Sequence, residues 1–264
     1  MRSILLLLLL GACAVAPPRA APLPYPPAAR ERMVRIALGE WAEWGSVVVE
    51  VGAPGTSSGA ESDPSNFPRV LAYWRAVPRD EGAIERNRAL YAEAIGGVGG
   101  QGLWREPYWS AAFISFILAA AGVDRQEFPP SAAHSDYVDA LIRDALAFPA
   151  SAPFLPSGPF EAAPRPGDLL CADRGAVPIS DWRQRAADAG RFRPMHCDIV
   201  VRVGAGVVEV VGGNVRDSVT MTRFPADAAG YLLPRPAGEP VLFALFQNRL
   251  GRLPPWSPPW SPLS

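Results

Sequence analysis

Trp109-Ser110-Ala111-Ala112-Phe113-Ile114-Ser115-Phe116-Ile117-Leu118-Ala119-Ala120-Ala121 is the stretch on which the reading of this chain turns. Phe113, Ile114, Ile117, Leu118 and Ala121 recur at the three-and-four spacing of a single helical face, which predicts a central helix from Ser110 to Ala121. Working outward, Ala28 to Trp44 has the same spacing, with Met33, Ile36, Leu38 and Trp41 set among Arg and Glu. Ala83 to Ile95 reads as another amphipathic helix. Ser131 to Phe148 reads as a fourth, with Ser131 as its N-cap and Tyr137, Leu141 and Leu146 among its apolar positions. Between the first two helices, the apolar Val47-Val48-Val49 run leads into a polar Gly/Ser loop up to Asn66, expected at a rim. After Pro166 the period shortens. Gly167 to Cys171, His196 to Val203, Val207 to Val211 and Val241 to Phe246 are β-rich runs between Gly and Pro turns. Helices first and an antiparallel sheet afterwards is an α+β pattern.

Composition narrows the function classes. With 264 residues, a net charge of -1 and 19% charged residues, the chain has no excess of positive potential for a nucleic-acid backbone or a polybasic membrane contact. All 25 basic residues are Arg, which removes Schiff-base chemistry and a Walker-type phosphate loop. The only imidazoles are His134 and His196.

The ends differ from the middle. Arg2 followed by the apolar Ile4 to Leu10 is far shorter than the roughly 20 residues a spanning helix needs, and reads as a signal peptide over residues 1–12. Leu10-Gly11-Ala12-Cys13 resembles the bacterial lipobox, which implies lipidation at Cys13. Ordinary cleavage after Ala14-Val15-Ala16 would leave Pro17 next to the cut, an unfavourable position. Acyl chains at about 0.8 kcal/mol per buried methylene would hold the chain on a membrane without a spanning helix. The expected address is the cell envelope, at the outer membrane facing the periplasm. Residues 13–27 read as a Pro/Ala-rich tether and 251–264 as a disordered Pro/Trp-rich tail with a Pro-Pro-Trp-Ser repeat. Residues 28–250 are left as one domain.

Four segments carry a resemblance to a known superfamily. Pro107-Tyr108-Trp109-Ser110-Ala111-Ala112-Phe113-Ile114-Ser115 resembles the Pro-Trp-Cys-Ala-Ala-Phe-Val motif that opens the nucleophile helix of NlpC/CHAP cell-wall peptidases, with Ser110 in place of the cysteine. Arg165-Pro166-Gly167-Asp168-Leu169-Leu170 is similar to their Pro-Gly-Asp-Leu strand. His196-Cys197-Asp198-Ile199-Val200-Val201 is similar to the strand that begins with the catalytic His, with Asp198 replacing a Gly. Val211-Gly212-Gly213-Asn214-Val215-Arg216-Asp217-Ser218-Val219 is similar to a Gly-Gly-Asn segment whose Asn orients that His. The motifs occur in the expected order over about residues 88 to 248. Together with Ser131-Ala132-Ala133-His134-Ser135-Asp136-Tyr137, they further resemble the bacterial domain-of-unknown-function 2272 family.

The resemblance implies a papain-like (NlpC/CHAP-type) α+β fold, with N-terminal helices on an antiparallel sheet, and a peptidase site of Ser110, His196 and Asn214. A nucleophile at a helix start needs a base within hydrogen-bond reach and a polar group to fix the imidazole tautomer. A serine hydroxyl is too weak an acid to ionise beside an imidazolium as a thiol does, and depends on concerted proton removal. Helix capping alone would also account for Ser110. Trp109, His134 and Asp198 are expected to border the binding cleft. Asp198 lies two residues from His196, on the same strand face. His134 has local hydrogen bonding as its default explanation, and Asn214 could be an ordinary turn residue.

Cys171 and Cys197, on neighbouring strands, form either a cross-strand bridge or two buried thiols. A zinc site is rejected because Cys197 and His196 point to opposite faces. No metal or cofactor is expected. Two functions follow: an amide hydrolase acting on peptidoglycan stem peptides, or an inactive envelope lipoprotein that binds wall peptides or scaffolds partners. Ser110 Oγ near a His196 nitrogen, with Asn214 on the other nitrogen, would favour the enzyme; a Ser110 bonded only to its own helix would favour the scaffold.

Overall fold

A computed structural model of the protein describes residues 28–97, 99 and 102–251. The signal peptide, Cys13, the rest of the tether and the Pro-Pro-Trp-Ser repeats lie outside these residues. In chain order the elements are α1 (Ala29–Glu43), β1 (Val48–Glu50), α2 (Phe67–Arg75), α3 (Ala83–Ile95), α4 (Ser110–Ala120), α5 (His134–Ala147), β2 (Phe154–Ser157), β3 (Leu169–Asp173), α6 (Trp182–Ala187), β4 (Met195–Gly204), β5 (Val207–Val215), β6 (Ser218–Pro225) and β7 (Val241–Asn248). Two 3-10 turns, Ala60–Ser62 and Pro64–Asn66, precede α2. The seven strands form a sheet of order β1-β6-β5-β4-β3-β7-β2. Every pairing is antiparallel except that of β1, which runs parallel to β6.

This is an α+β fold, and its two sheet faces are built differently. Alternation along β4 sends Cys197, Ile199 and Val201 into the large core shared with the helices, and Val200 into a smaller core on the opposite face. Loop residues Ala226 and Leu232 cover that second face, with Ala162 packed against them.

Helix α4 is the centre of the helical layer, as its sequence predicts: eight of its residues, Phe113 and Ile114 among them, are buried. It reaches the sheet at Gly213, where an added Cβ would stand 2.5 Å from Phe113 Cβ. That close approach requires glycine, and it puts the start of α4 beside the middle of the sheet. At the other end, the Arg32 guanidinium of α1 donates to Ala121 O at 3.1 and 2.8 Å, satisfying a carbonyl left free by the helix terminus.

The segment 67–75, not assigned from sequence, is a helix whose Phe67, Val70, Tyr73 and Trp74 are buried. Tyr73 meets Phe113 edge-on at 5.3 Å between ring centroids, which locks α2 against α4. Helix α5 begins at His134 rather than Ser131, because Ala133 is extended (φ -120°, ψ 131°). Ser131 Oγ instead accepts from Ala133 N at 3.1 Å and donates to Asp136 at 2.8 Å. Two adjoining strands are bridged at Cys171–Cys197, a register pair of β3 and β4. The Pro-Gly-Asp segment is a clamp: Asp168, 2% exposed, accepts from Arg165 N and from Asn248 N of β7, both at 2.8 Å. Burial raises its carboxyl to about 6 despite those two bonds.

Candidate active site

The start of α4 and the start of α5 are drawn together by serines. Buried Ser115, one turn into α4, accepts from Ser131 N and donates to Ser131 O, both at 3.1 Å, so the segment leading into α5 is held against α4. His134, first residue of α5, then faces Ser110, first residue of α4. Ser110 Oγ lies 2.7 Å from His134 Nε2. His134 Nδ1 is hydrogen-bonded to the Tyr137 hydroxyl, three residues on and therefore on the same helical face. The tautomer in which Nε2 accepts the serine proton places the ring proton on Nδ1, where it donates to the phenol oxygen.

Three sequence expectations are corrected here. Ser110 is not a side-chain cap: the N-cap position of α4 is Trp109, no side chain caps it, and the Ser110 hydroxyl is directed to an imidazole. The imidazole it meets belongs to His134, not to His196. Asn214 does not brace His196 either. It sits in the left-handed region (φ 57°), and its amide donates to Glu61 Oε2 at 3.2 Å. His196 is braced by Asp198 instead, with Nε2 2.9 Å from Asp198 Oδ1. The two residues share a strand face, as their spacing predicts. Gly212 makes room for the pair, since a Cβ there would fall 1.8 Å from Asp198 Oδ1.

The two histidines meet edge-on, with ring centroids 5.2 Å apart. Ser110, His134, His196 and Asp198 thus form one cluster, each 9% exposed or less. Burial, then the neighbouring His196 and Arg174, lowers the His134 imidazole well below its usual range, so it is neutral at pH 7. Burial and the charge of Asp198 raise the Tyr137 phenol, which stays protonated.

Trp109 is fully buried, stacked on Trp44 at 5.2 Å, and offers no exposed face to a ligand. Its indole donates to Glu61 Oε2 at 2.9 Å, the same oxygen that receives Asn214. Sequence reasoning missed Glu61, which stands in the polar loop before α2 and shows its role only through these remote partners. Burial pushes its carboxyl up to about 7, against the two hydrogen bonds and with added repulsion from Asp217. Tyr137 was also missed as a site residue, although its position three residues after His134 was a usable signal. Among the described residues no group of three or more His, Cys, Asp or Glu gathers in a way that could hold a metal ion, and no helix is long and apolar enough to cross a membrane.

Residues 61–244 match the model of a family described as "uncharacterized protein conserved in bacteria (DUF2272)". That span holds every residue of the cluster and more than two thirds of the chain, and the protein belongs to this family. No curated protein and no solved structure matches it.

Proposed function

We propose that the protein is a serine amide hydrolase of the cell envelope, acting on peptidoglycan stem peptides, in which Ser110 is the nucleophile and His134 the base. The observation that carries this reading is the 2.7 Å contact between Ser110 Oγ and a His134 whose other nitrogen is already held by Tyr137. Nucleophile, base and orienting group in hydrogen-bonded series form the arrangement that acyl transfer requires.

In the reaction, His134 Nε2 takes the hydroxyl proton as Ser110 Oγ adds to the amide carbonyl. The first-turn N–H groups of α4, which have no intrahelical acceptors, receive the oxyanion. The proton then passes to the leaving amine as the C–N bond breaks, leaving an ester on Ser110 that water hydrolyses. The carboxylate of Asp198, close enough to influence Tyr137, offsets the positive charge that forms on His134.

The wall-peptide substrate rests on the likeness of four motifs to the NlpC/CHAP peptidases and on the lipobox-like segment at Cys13. The buried Cys171–Cys197 bridge accords with an oxidising compartment outside the cytoplasm.

The test is incubation of purified muropeptides with the wild type and with Ser110→Ala, Ser110→Cys and His134→Ala. Release of new amino groups by the wild type, reduced at least about 10³-fold in Ser110→Ala and His134→Ala, is expected. Activity only in Ser110→Cys, or none in any form, would leave the binding lipoprotein as the better reading.

A further inference from the structure

The loop-covered face of the sheet carries a cleft of about 270 Å3 whose floor includes His196 and Asp198. Arg174, Arg216 and Arg235 stand in its walls with Glu50 and Glu239. The acidic groups already have partners. Glu50 pairs with Arg223 at 3.4 Å, Glu239 with Arg235 at 2.8 Å, and Asp198 with His196 at 2.9 Å. Arg174 and Arg216 have no carboxylate partner among the described residues. Among the described residues the side chain of Arg216 donates to Ala53 O at 2.7 Å, and its guanidinium lies against Gly55.

Two polar atoms of cleft residues are buried without a hydrogen-bond partner: His196 Nδ1 and Arg235 Nε. His196 is only 5% exposed, so water does not readily make up the deficit. A buried polar atom left unpaired costs about 1–3 kcal/mol, so the residues under this cleft carry an uncompensated polar cost. The remaining wall is mostly apolar, with Val49, Val51, Ala172, Leu242 and Phe224 beside Thr222.

We propose that this cleft receives the free carboxylate of a peptide substrate, next to a small aliphatic residue, with Arg174 and Arg216 as the cationic clamp. A planar carboxylate matches the forked guanidinium donors, and the apolar wall fits the short side chain beside it. The cleft reaches the cluster through the His196 ring, which touches His134, so the carboxylate is held close to the bond that Ser110 attacks. This assignment rests on the hydrolase reading only for the identity of the ligand as a substrate; binding itself does not depend on turnover.

The experiment uses the Ser110→Ala protein, which cannot turn over, and measures heats of binding for three probes: N-acetyl-alanyl-glutamate, its diamide, and inorganic phosphate. The diacid is expected to bind at least about tenfold more tightly than the diamide. Arg174→Gln, at an exposed position, is expected to remove that preference without a change in melting temperature, and Arg174→Lys to restore part of it. Equal affinity for diacid and diamide, no heat from the diacid at millimolar concentration, tightest binding of phosphate, or an unchanged diacid affinity in Arg174→Gln would each overturn the assignment. Diacid binding in a protein whose wild type cleaves no muropeptide would defeat the hydrolase reading and leave the cleft standing.

Discussion

Gly212 and Gly213 are neighbours on β5, yet they serve opposite faces of the sheet. A Cβ at Gly213 would enter the helical layer, 2.5 Å from Phe113 Cβ and 2.9 Å from the Trp109 ring. A Cβ at Gly212 would enter the other face, 1.8 Å from Asp198 Oδ1 and 2.9 Å from His196 Nε2. The first glycine lets two rigid elements touch; the second leaves room for a hydrogen-bonded polar pair. The helical face is therefore where packing sets stability, and the loop-covered face is where charge and space are kept. Ser110 and His134 lie where the helical layer meets His196.

The largest effect that bears on this contrast belongs to the bridge between β3 and β4. Cys171 and Cys197 are 26 residues apart, and closing a loop of that size restricts the unfolded chain by about 3.5 kcal/mol. Replacing both by Ala is expected to lower unfolding free energy by about that amount in denaturant titration. A loss below about 1 kcal/mol would mean that the helical face carries its stability without the bridge.

Gly213→Ala comes next. Phe113 is fully buried and cannot yield, so overpacking is expected to cost about 1–3 kcal/mol. Gly212→Ala meets polar atoms of a buried pair and is expected to act through loss of their hydrogen bond rather than through packing, at about 1 kcal/mol. Its effect is on the His196–Asp198 contact, visible as a changed environment of the His196 ring protons by NMR. Reversal of these two outcomes would break the division between the faces.

The pH dependence of stability gives a smaller effect. Glu61 has its folded carboxyl raised from 4.5 to about 7, and Asp168 from 3.8 to about 6. In each case the folded state holds the proton more tightly than the unfolded chain. Stability is therefore greatest at low pH within this window and declines as pH rises from about 4 to 7. Glu61→Gln is expected to remove part of that decline, on the order of 2 kcal/mol, in melts recorded at pH 5 and pH 8.

Much of the fold was legible because its signals are local. The apolar spacing in α1, α3 and α4 and the β-rich runs of β3, β4, β5 and β7 mark these elements within a few residues. Helix α2 was not read: it is nine residues long, carries Pro68 in its first turn and follows a Gly/Ser-rich loop, so its buried Phe67, Val70 and Tyr73 did not stand out as a helix. Strand β6 follows a turn in which Asn214, Arg216 and Asp217 all have positive φ, and that turn masked the alternation of Val219 and Met221.

The site was legible in part. Ser110, His134, His196 and Asp198 were all singled out, and the structure gathers them. Their pairing was not readable, because it depends on how the starts of two helices meet across the Ser115–Ser131 contact, a tertiary relation with no local trace. Asn214 was misassigned because the same Gly-Gly-Asn turn that could aim an amide at His196 aims it at Glu61. Asp198 held the answer, since a carboxylate two residues along a strand can brace an imidazole by itself.

The pairing of Ser110 with His134 is tested most directly by covalent labelling with a fluorophosphonate, read by mass spectrometry of the intact protein and its peptides. A single adduct on Ser110 is expected in the wild type, forming at least about 100-fold more slowly in His134→Ala. Labelling should persist below pH 6.5, because the lowered basicity keeps His134 neutral there. An unlabelled Ser110, or a labelling rate indifferent to the loss of His134, would contradict the account.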